Sequence, residues 1–393
     1  MTDLNNLLVA IHDSEVQGLD IVIATVIKVE GSAYRRPGAR MIISQSGAST
    51  GTVSGGCLER DVTRKAWWLT ASGRPTVRRY STGQDDDDLE DAELSFGLGC
   101  NGTVHIMFER IAKSRESLLL SVLRNVYSTG TPAAIATIIA NDGYARASVG
   151  DRVTLDSRGI QHTPFLNPAL VKQIEQDLDN VRVDRRTKHH KYSVDGTKNI
   201  EVLLEYLPAP RRLVIFGAGH DVIPLVAIAK LQGWRVYVVD ARSHYARKER
   251  FPLAEAVICS SLDEPFSLSS LIEDSAVVIM SHSLSQDRHW LEGALSGAPF
   301  YVGQLGPKYR TERLLTEIDQ KRITEKSLST LHFPIGLDIG GDTPEAIALS
   351  IAGEINAAFS KRQGGMLKHR TSTIHSSEPA ELSWSHDTHL HVS

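Results

Sequence analysis

Residues 211–220, RRLVIFGAGH, indicate the fold of the second half of the chain. An apolar strand runs into a glycine turn and then into a helical stretch, which is the order found in dinucleotide-binding units. The next apolar run, RVYVVD, ends at Asp240, which lies 23 residues after Gly217. Strand-like and helix-like stretches then alternate to about residue 360, which is typical of a parallel sheet. The sequence therefore predicts a Rossmann-like domain over residues 210–360.

The glycine turn of this domain is a candidate ligand site. Glycines let the backbone approach a phosphate, a helix N-terminus attracts it, and an acid at the end of the second strand binds a ribose hydroxyl. Val222 stands where the third glycine of the pattern is expected, so the match is incomplete. NAD(P) or another nucleotide is a candidate ligand of such a turn. The candidate residues are Gly217, Gly219, His220, Asp240, Arg242 and His282.

The first half of the chain contains an internal repeat. Residues 7–47 align without gaps on residues 119–159, and the strand VHIMFER from Val104 resembles IEVLLEY from Ile200. Each copy has the pattern of an amphipathic helix followed by β-branched strands and glycine turns. We therefore predict an α/β fold in which duplicated α+β units precede the Rossmann-like domain. The expected domains are residues 1–110, residues 111–209 and residues 210–360, and residues 361–393 are expected to be a disordered tail.

The two copies differ where a binding site is expected. Arg35 and Arg36 align with alanine and serine of the second copy, and residues 55–57, Gly-Gly-Cys, align with Asn-Pro-Ala. If the shared scaffold needed these residues for folding, the second copy would keep more of them. Their presence in one copy favours a site formed by Arg35, Arg36, Gly55, Gly56 and Cys57.

Three cysteines are too few and too scattered for a disulfide framework, which favours a reducing cytosol. Cys57 follows two glycines and precedes a predicted helix, where the helix dipole and nearby arginines would stabilise a thiolate. Cys100 lies in a second glycine turn, GLGCNG, whereas Cys259 lies in an apolar strand and is expected to be core filler. Cys57 and Cys100 have no CxxC spacing, so they do not predict a zinc site.

Composition excludes some classes of function. The chain has 43 basic and 47 acidic residues, a formal net charge of −4, which argues against a general nucleic-acid surface. No apolar run approaches the roughly 18 residues that a membrane span needs. The first residues lack the basic region of a secretory signal, so a cytoplasmic location is expected.

Taken together, these segments resemble the XdhC/CoxI family, the maturation factors of xanthine dehydrogenase and carbon monoxide dehydrogenase type molybdoenzymes. The resemblance rests on GSAYRRPGARM, GTVSGGCLE and GLGCNG at the front and on IFGAGH, VVDAR, VVIMSH, YVGQLGPKYR and PIGLDIGGDTPEAIALSIAGEI at the back. It implies a chaperone, rather than an independent enzyme, that binds the molybdenum cofactor (molybdopterin). It also implies help in cofactor sulfuration with a cysteine desulfurase, delivery to an apo xanthine dehydrogenase-type molybdoenzyme, and a homodimer.

On this resemblance, Cys57 with Arg35 and Arg36 is expected to face the molybdenum end of the cofactor, with Cys100 nearby. The two thiols would act as molybdenum ligands or as a sulfur relay, since thiolates suit soft-metal and sulfur-transfer chemistry. Two other functions remain open at this point. One is an NAD(P)-dependent oxidoreductase whose first units shape a substrate pocket, and the other is a nucleotide-sensing regulatory module.

Overall fold

The computed structural model describes residues 4–31, 33–81, 102–113, 117–164, 166–194, 198–263, 266–319 and 323–371. The chain divides into two compact units, Met1–Pro210 and Arg211–Ser393. Most of the expected tail, residues 372–393, lies outside the described residues, and a short 3₁₀ turn, Leu367–His369, lies within residues 361–371. Among the described residues, no helix is long and apolar enough to cross a membrane.

The first unit contains two antiparallel sheets, each covered by helices. Its elements are α1 (Leu4–Val16), β1 (Ile21–Gly31), β2 (Arg40–Ser44), β3 (Ser49–Gly51), α2 (Glu59–Leu69), β4 (Thr76–Ser81), β5 (Gly102–Ile111), α3 (Leu118–Thr129), β6 (Ala133–Asn141), β7 (Arg152–Asp156), β8 (Gly159–His162), α4 (Pro168–Asp184), β9 (Lys188–Val194) and β10 (Lys198–Leu207).

The two sheets have the same strand order, β3-β2-β1-β5-β4 in the first copy and β8-β7-β6-β10-β9 in the second. Their registers agree in detail, because Ile23 pairs with Glu109 and the equivalent Ile135 pairs with Glu205. Both central strands also carry a bulge at the same place. In β1 it lies between Val26 and Lys28, and in β6 it lies at the corresponding point, opposite Glu201 of β10. The predicted duplication is therefore visible in order, register and irregularity.

Strand β1 is apolar on both faces because both faces are covered. Ile21 and Ile23 pack in a core cluster with helices α1 and α3, whereas Val22 and Ala24 pack in another cluster with α2. This follows from the alternation of side chains along a strand. The long apolar run of β1 is thus a consequence of a sheet buried between helices.

The second unit is a doubly wound parallel sheet. Its elements are β11 (Arg212–Phe216), α5 (Val222–Leu231), β12 (Arg235–Asp240), β13 (Ala256–Cys259), α6 (Ser269–Ile272), β14 (Ala276–Ile279), α7 (Leu284–Ser296), β15 (Tyr301–Gln304), α8 (Lys308–Glu317), α9 (Glu325–Leu328), β16 (Leu331–His332) and α10 (Pro344–Phe359). The strand order is β13-β12-β11-β14-β15-β16, with parallel pairing throughout.

This order reverses direction between β11 and β14, which are neighbours in the sheet. In such sheets, ligands bind beyond the carboxyl ends of the strands at the point of reversal. The glycine turn after β11 and the loop after β14 meet there. The predicted fold class, duplicated α+β units followed by a Rossmann-like parallel sheet, is confirmed.

Candidate functional site

The glycine loop, residues 52–58, joins β3 to α2 and carries Cys57. Ser54 organises the loop, because its hydroxyl oxygen accepts hydrogen bonds from the amides of Gly56 at 3.2 Å and Leu58 at 3.1 Å. The carboxylate of Glu59, in the first turn of α2, accepts the Ser54 amide at 2.8 Å and the Ser54 hydroxyl. The loop is therefore fixed on a rigid helix start, and it leaves Cys57 exposed.

Glu59 keeps its charge in this position. Burial alone would raise the pKa of its carboxyl group, but hydrogen bonds from the side chain and backbone of Ser54 and from the backbone of Val53 hold the pKa below its usual value. A charged carboxylate in the first turn also interacts favourably with the helix dipole. Glu59 therefore acts as the anchor of the glycine loop and is not a free acid.

The arginine loop, residues 33–39, lies against the glycine loop. Arg35 Nε donates a hydrogen bond to the carbonyl of Thr52 at 3.2 Å. Gly55 packs on the ring of Tyr34, whose Cγ lies 3.5 Å from where a Cβ on Gly55 would stand. The structure thus brings together two of the segments that the sequence singled out, since Gly55 lies two residues before Cys57.

A cavity of about 320 Å³ opens beside the arginine loop, and we call it the first cavity. Its volume lies at the lower end of the range of small-molecule sites. Arg35 and Arg36 contribute positive charge, and among the described residues no acidic partner pairs with Arg36. Both copies of the repeat form the wall, with Tyr34, Arg35 and Arg36 from the first copy and Thr187, Glu205 and Tyr206 from the second.

The cysteines differ in part from the sequence expectation. Cys259 ends β13 at the edge of the parallel sheet and is exposed, so the expectation that it fills the core is wrong. Its apolar neighbours pack on the sheet, but an edge strand leaves its last residue uncovered. Cys100, which the sequence singled out beside Cys57, lies outside the described residues. Within the described ranges, no group of three or more His, Cys, Asp or Glu side chains forms a metal site.

In the second unit, Gly217 allows two loops to touch. Its φ is 125°, and a Cβ there would lie 2.5 Å from the carbonyl oxygen of Met280 in the loop after β14. Neither the backbone conformation nor the space accepts another residue. Gly219 and the exposed His220 complete the turn before α5.

Asp240, which the sequence singled out as the acid for a ribose hydroxyl, is hydrogen-bonded within the chain. Its side chain is fully buried, and its carboxylate accepts the amide of Ala218 at 2.8 Å and the backbone amide of Arg242 at 2.9 Å. The Arg242 guanidinium covers it with two further hydrogen bonds, from Nε at 2.9 Å and Nη2 at 2.8 Å. The chain itself supplies the hydrogen-bond partners of this acid, and the candidate residue Arg242 provides three of them.

His282, one of the candidate ligand residues, lies in the loop after β14 and pairs with Asp221. The distance from His282 Nε2 to Asp221 Oδ2 is 2.7 Å, and the imidazole remains largely exposed. His282 has a φ of 58°, a left-handed conformation that non-glycine residues seldom adopt. The preceding Ser281 is anchored through its amide and hydroxyl to Asp287, a buried carboxylate that also binds Arg310 at 2.7 Å.

Sequence reasoning missed several residues that shape these sites. The sequence pattern does not single out Asp221 in the glycine turn, and it does not indicate that Glu59 anchors the glycine loop. Glu205 had a visible signal, because the aligned strands place glutamate at 109 and 205 inside apolar runs, and arginine occurs at 40 and 152 in both copies. Charged residues at core positions of both copies indicate buried ion pairs.

Comparison with known proteins places the chain in a family. Residues 16–81 match the XdhC and CoxI family, and residues 213–355 match the XdhC Rossmann domain. A protein of Escherichia coli K12, named molybdenum cofactor insertion chaperone PaoD, is 22% identical over 86% of this chain and 84% of its own length.

A crystal structure from Bacillus halodurans, described as a xanthine dehydrogenase, superimposes with a TM-score of 0.68 at 28% identity and covers 93% of this chain and 98% of its own. A protein of Bacillus subtilis 168, named as a probable xanthine dehydrogenase subunit, is 30% identical over 86% of this chain and 92% of its own length. The chain therefore belongs to the XdhC and CoxI family.

Proposed function

We propose that this protein is a maturation factor that binds the molybdenum cofactor and delivers it to a xanthine dehydrogenase-type molybdoenzyme. The observation that carries the proposal is the exposed thiol of Cys57 on a fixed glycine loop that contacts the arginine loop. Membership of the family and the names of two relatives, one a molybdenum cofactor insertion chaperone, support it.

The residues of the first unit fit this cargo chemically. A thiolate is a soft ligand and a sulfur nucleophile, so Cys57 suits the molybdenum end or a sulfur relay. Arg35 and Arg36 provide the planar donors that bind a phosphate group. Tyr34 and Tyr206 line the same cavity and offer ring faces for a flat heterocycle.

The finer steps of the proposal are sulfuration of the bound cofactor with a cysteine desulfurase, release to the apo-enzyme, a homodimeric state and a cytoplasmic location. These steps rest on the family resemblance. We do not propose a dinucleotide-dependent oxidoreductase, because the Arg242 guanidinium covers Asp240, and a ribose hydroxyl would have to displace its two hydrogen bonds. The same geometry argues against a sensor that reads NAD(P) through this acid.

The proposal is tested on protein purified from molybdenum-supplied cells. Molybdenum is measured by mass spectrometry of the metal, and pterin by fluorescence after oxidation. Wild type is expected to carry both, and Cys57→Ala is expected to lose most of the molybdenum. Cys259→Ala is the matched control, since Cys259 is also an exposed thiol but lies in the second unit. Full occupancy of Cys57→Ala, or an empty wild type, would overturn the proposal.

Delivery is tested separately. Loaded wild type, with a cysteine desulfurase and a sulfur source, is mixed with an apo xanthine dehydrogenase-type enzyme, and activation is followed with time. Activation is expected to need both the loaded protein and the desulfurase. Equal activation by free cofactor would show that this chain does not serve as a delivery factor.

A further inference from the structure

The two copies of the repeat exchange buried ion pairs. Arg40 of the first copy donates from Nη1 and Nη2 to the carboxylate of Glu205 in the second, at 2.8 and 2.6 Å. Arg152 of the second copy pairs in the same bidentate way with Glu109 of the first. All four side chains are at most 8% exposed. The arginine of each copy thus pairs with the equivalent glutamate of the other copy.

Each pair also sets the loop that precedes its arginine. Arg40 Nη1 donates to the carbonyl of Gly38 at 2.9 Å, and Arg152 Nη1 donates to that of Gly150 at 3.2 Å. Gly38 has a φ of 94°, and a Cβ there would lie 2.7 Å from Oε1 of Glu205. The arginine loop of the first copy is therefore shaped directly around a glutamate of the second copy.

A second cavity, of about 880 Å³, lies at the equivalent position of the second copy. Its wall includes residues 148–152, Glu109 and Arg110, which correspond to residues 36–40, Glu205 and Tyr206 of the first cavity. The duplication therefore formed two related cavities, each built from one copy's loop and the other copy's last strand.

The charges of the two cavities differ. In the first, Glu205 compensates Arg40, and Arg35 and Arg36 add two further cations to the wall. In the second, Glu109 compensates Arg152, and Asp20 binds Arg110 at 2.8 and 3.0 Å. The wall of the second cavity also contains one further cation, Arg74, and one further acid, Asp151. The sequence of the second loop has alanine and serine at 147 and 148 in place of the two arginines. The first cavity is the better match for an anionic ligand.

Tyr206 gives the first cavity a polar aromatic wall. It is half-buried, and burial raises the pKa of its phenol, so the hydroxyl stays protonated and can donate a hydrogen bond. The equivalent residue of the second cavity, Arg110, instead stacks on Trp67 and pairs with Asp20. The aromatic contribution is therefore specific to the first cavity.

We propose that the cofactor site is composite: Glu205 of the second copy is a positioning residue that sets the arginine loop through Arg40, and Tyr206 contacts the heterocycle of the ligand. The inference rests on the proposed function, since the ligand class is that of the cofactor. It gives a physical reason for the degenerate copy to persist, because the first copy cannot form its site alone.

The matched pair of variants Glu205→Gln and Glu109→Gln tests the positioning role in the full chain. Each leaves an equivalent buried arginine without its charge partner, so both are expected to lower the thermal midpoint by similar amounts. Only Glu205→Gln is expected to reduce bound pterin and molybdenum, by about tenfold, because only its loop carries Arg35 and Arg36. Equal losses in both variants would show a purely structural role and overturn the proposal.

Tyr206 supplies a second test. Tyr206→Ala is expected to lower pterin occupancy several-fold, and also to lower the thermal midpoint because the ring packs against the core of the second copy. Tyr206→Phe keeps this packing and is expected to restore the thermal midpoint and most of the occupancy. The control, Arg110→Ala, alters the equivalent residue of the second cavity and is expected to leave occupancy unchanged. Loss in Arg110→Ala with none in Tyr206→Ala would assign the ligand to the second cavity. A wild type without pterin defeats the proposed function itself, whereas a loaded wild type with insensitive variants defeats this inference alone.

Discussion

Asp221 and His282 join the two loops that meet at the reversal point of the parallel sheet, with 2.7 Å between Oδ2 and Nε2. Because the carboxylate can only accept, Nε2 is the donor, and the other ring nitrogen faces away from the pair. The backbone of His282 is held in the left-handed region by loop contacts that end at Asp287. Strain that is held by surrounding contacts in this way is common at ligand sites.

The strain predicts an unusual order of stability for substitutions at His282. Alanine keeps the unfavourable φ of 58°, whereas glycine relieves it, so His282→Gly is expected to be more stable than His282→Ala by roughly 0.5–1 kcal/mol. Urea unfolding measures the difference. His289, inside helix α7, is the control. There the unfolding free energy of His289→Ala is expected to exceed that of His289→Gly by about 1 kcal/mol. The same order at both positions would contradict the prediction.

The buried Asp240 predicts a specific loss of stability in acid. Burial opposes ionisation, but hydrogen bonds from Arg242 and Ala218 hold the pKa of Asp240 below its usual value. A lowered pKa in the folded state means that the stabilisation is complete above the unfolded pKa of about 3.9 and is lost as the pH falls through the folded value.

Asp240→Asn is therefore expected to cost roughly 3 kcal/mol near pH 7, where Arg242 loses its partner, and progressively less below about pH 4. Unfolding of both proteins across that range gives the comparison. A difference in unfolding free energy that stays constant down to pH 3 would be inconsistent with a charged, paired Asp240.

The same pair predicts weak dinucleotide binding. Since a ribose would have to displace Arg242 from Asp240, we expect dissociation constants for NAD and NADP weaker than about 1 mM, equivalent to about −4 kcal/mol. Titration calorimetry on the full chain measures this directly. Micromolar affinity that Asp240→Asn abolishes would restore a dinucleotide-binding role for this domain.

The exposed thiols predict a labelling pattern. Cys57 and Cys259 are both exposed, so both are expected to react with iodoacetamide in the native protein within minutes, as read by peptide mass spectrometry. Omitting denaturant is essential, since unfolding exposes every thiol. Protection of Cys259 in the native state would support its interpretation as core filler and contradict the structure.

Much of the fold could be predicted from spacing alone. The offset of 112 residues between the copies reappears as identical strand orders, because the same apolar periodicity produces the same buried faces. The start of α10 also follows a local pattern, because Pro344 occupies the first helical position and the Thr343 hydroxyl accepts the amide of Ala346 at 3.2 Å. Local steric and capping rules act within a few residues and are independent of the rest of the chain.

The site could be predicted only in part. The sequence singled out Arg35, Arg36 and Cys57, and the structure brings their two loops into contact. The position of Asp240 in the sequence suggested a ribose-binding acid. The sequence could not show that the Arg242 guanidinium, two residues later, folds back over the Asp240 carboxylate. An arginine side chain can extend into solvent or pair with a nearby carboxylate at almost the same free energy. Burial of the carboxylate favours the pair.

The sequence alone indicates the set of elements, the duplication and the chemistry available: a thiol in a glycine loop, two arginines in one copy and a glycine turn at a strand end. The pairing of charged residues that are distant in sequence depends on the tertiary structure. Arg40 binds Glu205 across 165 positions of sequence, and His282 binds Asp221 across 61. Such contacts depend on how sheets and loops are brought together, because a buried charge takes whichever partner the packing places within hydrogen-bond distance.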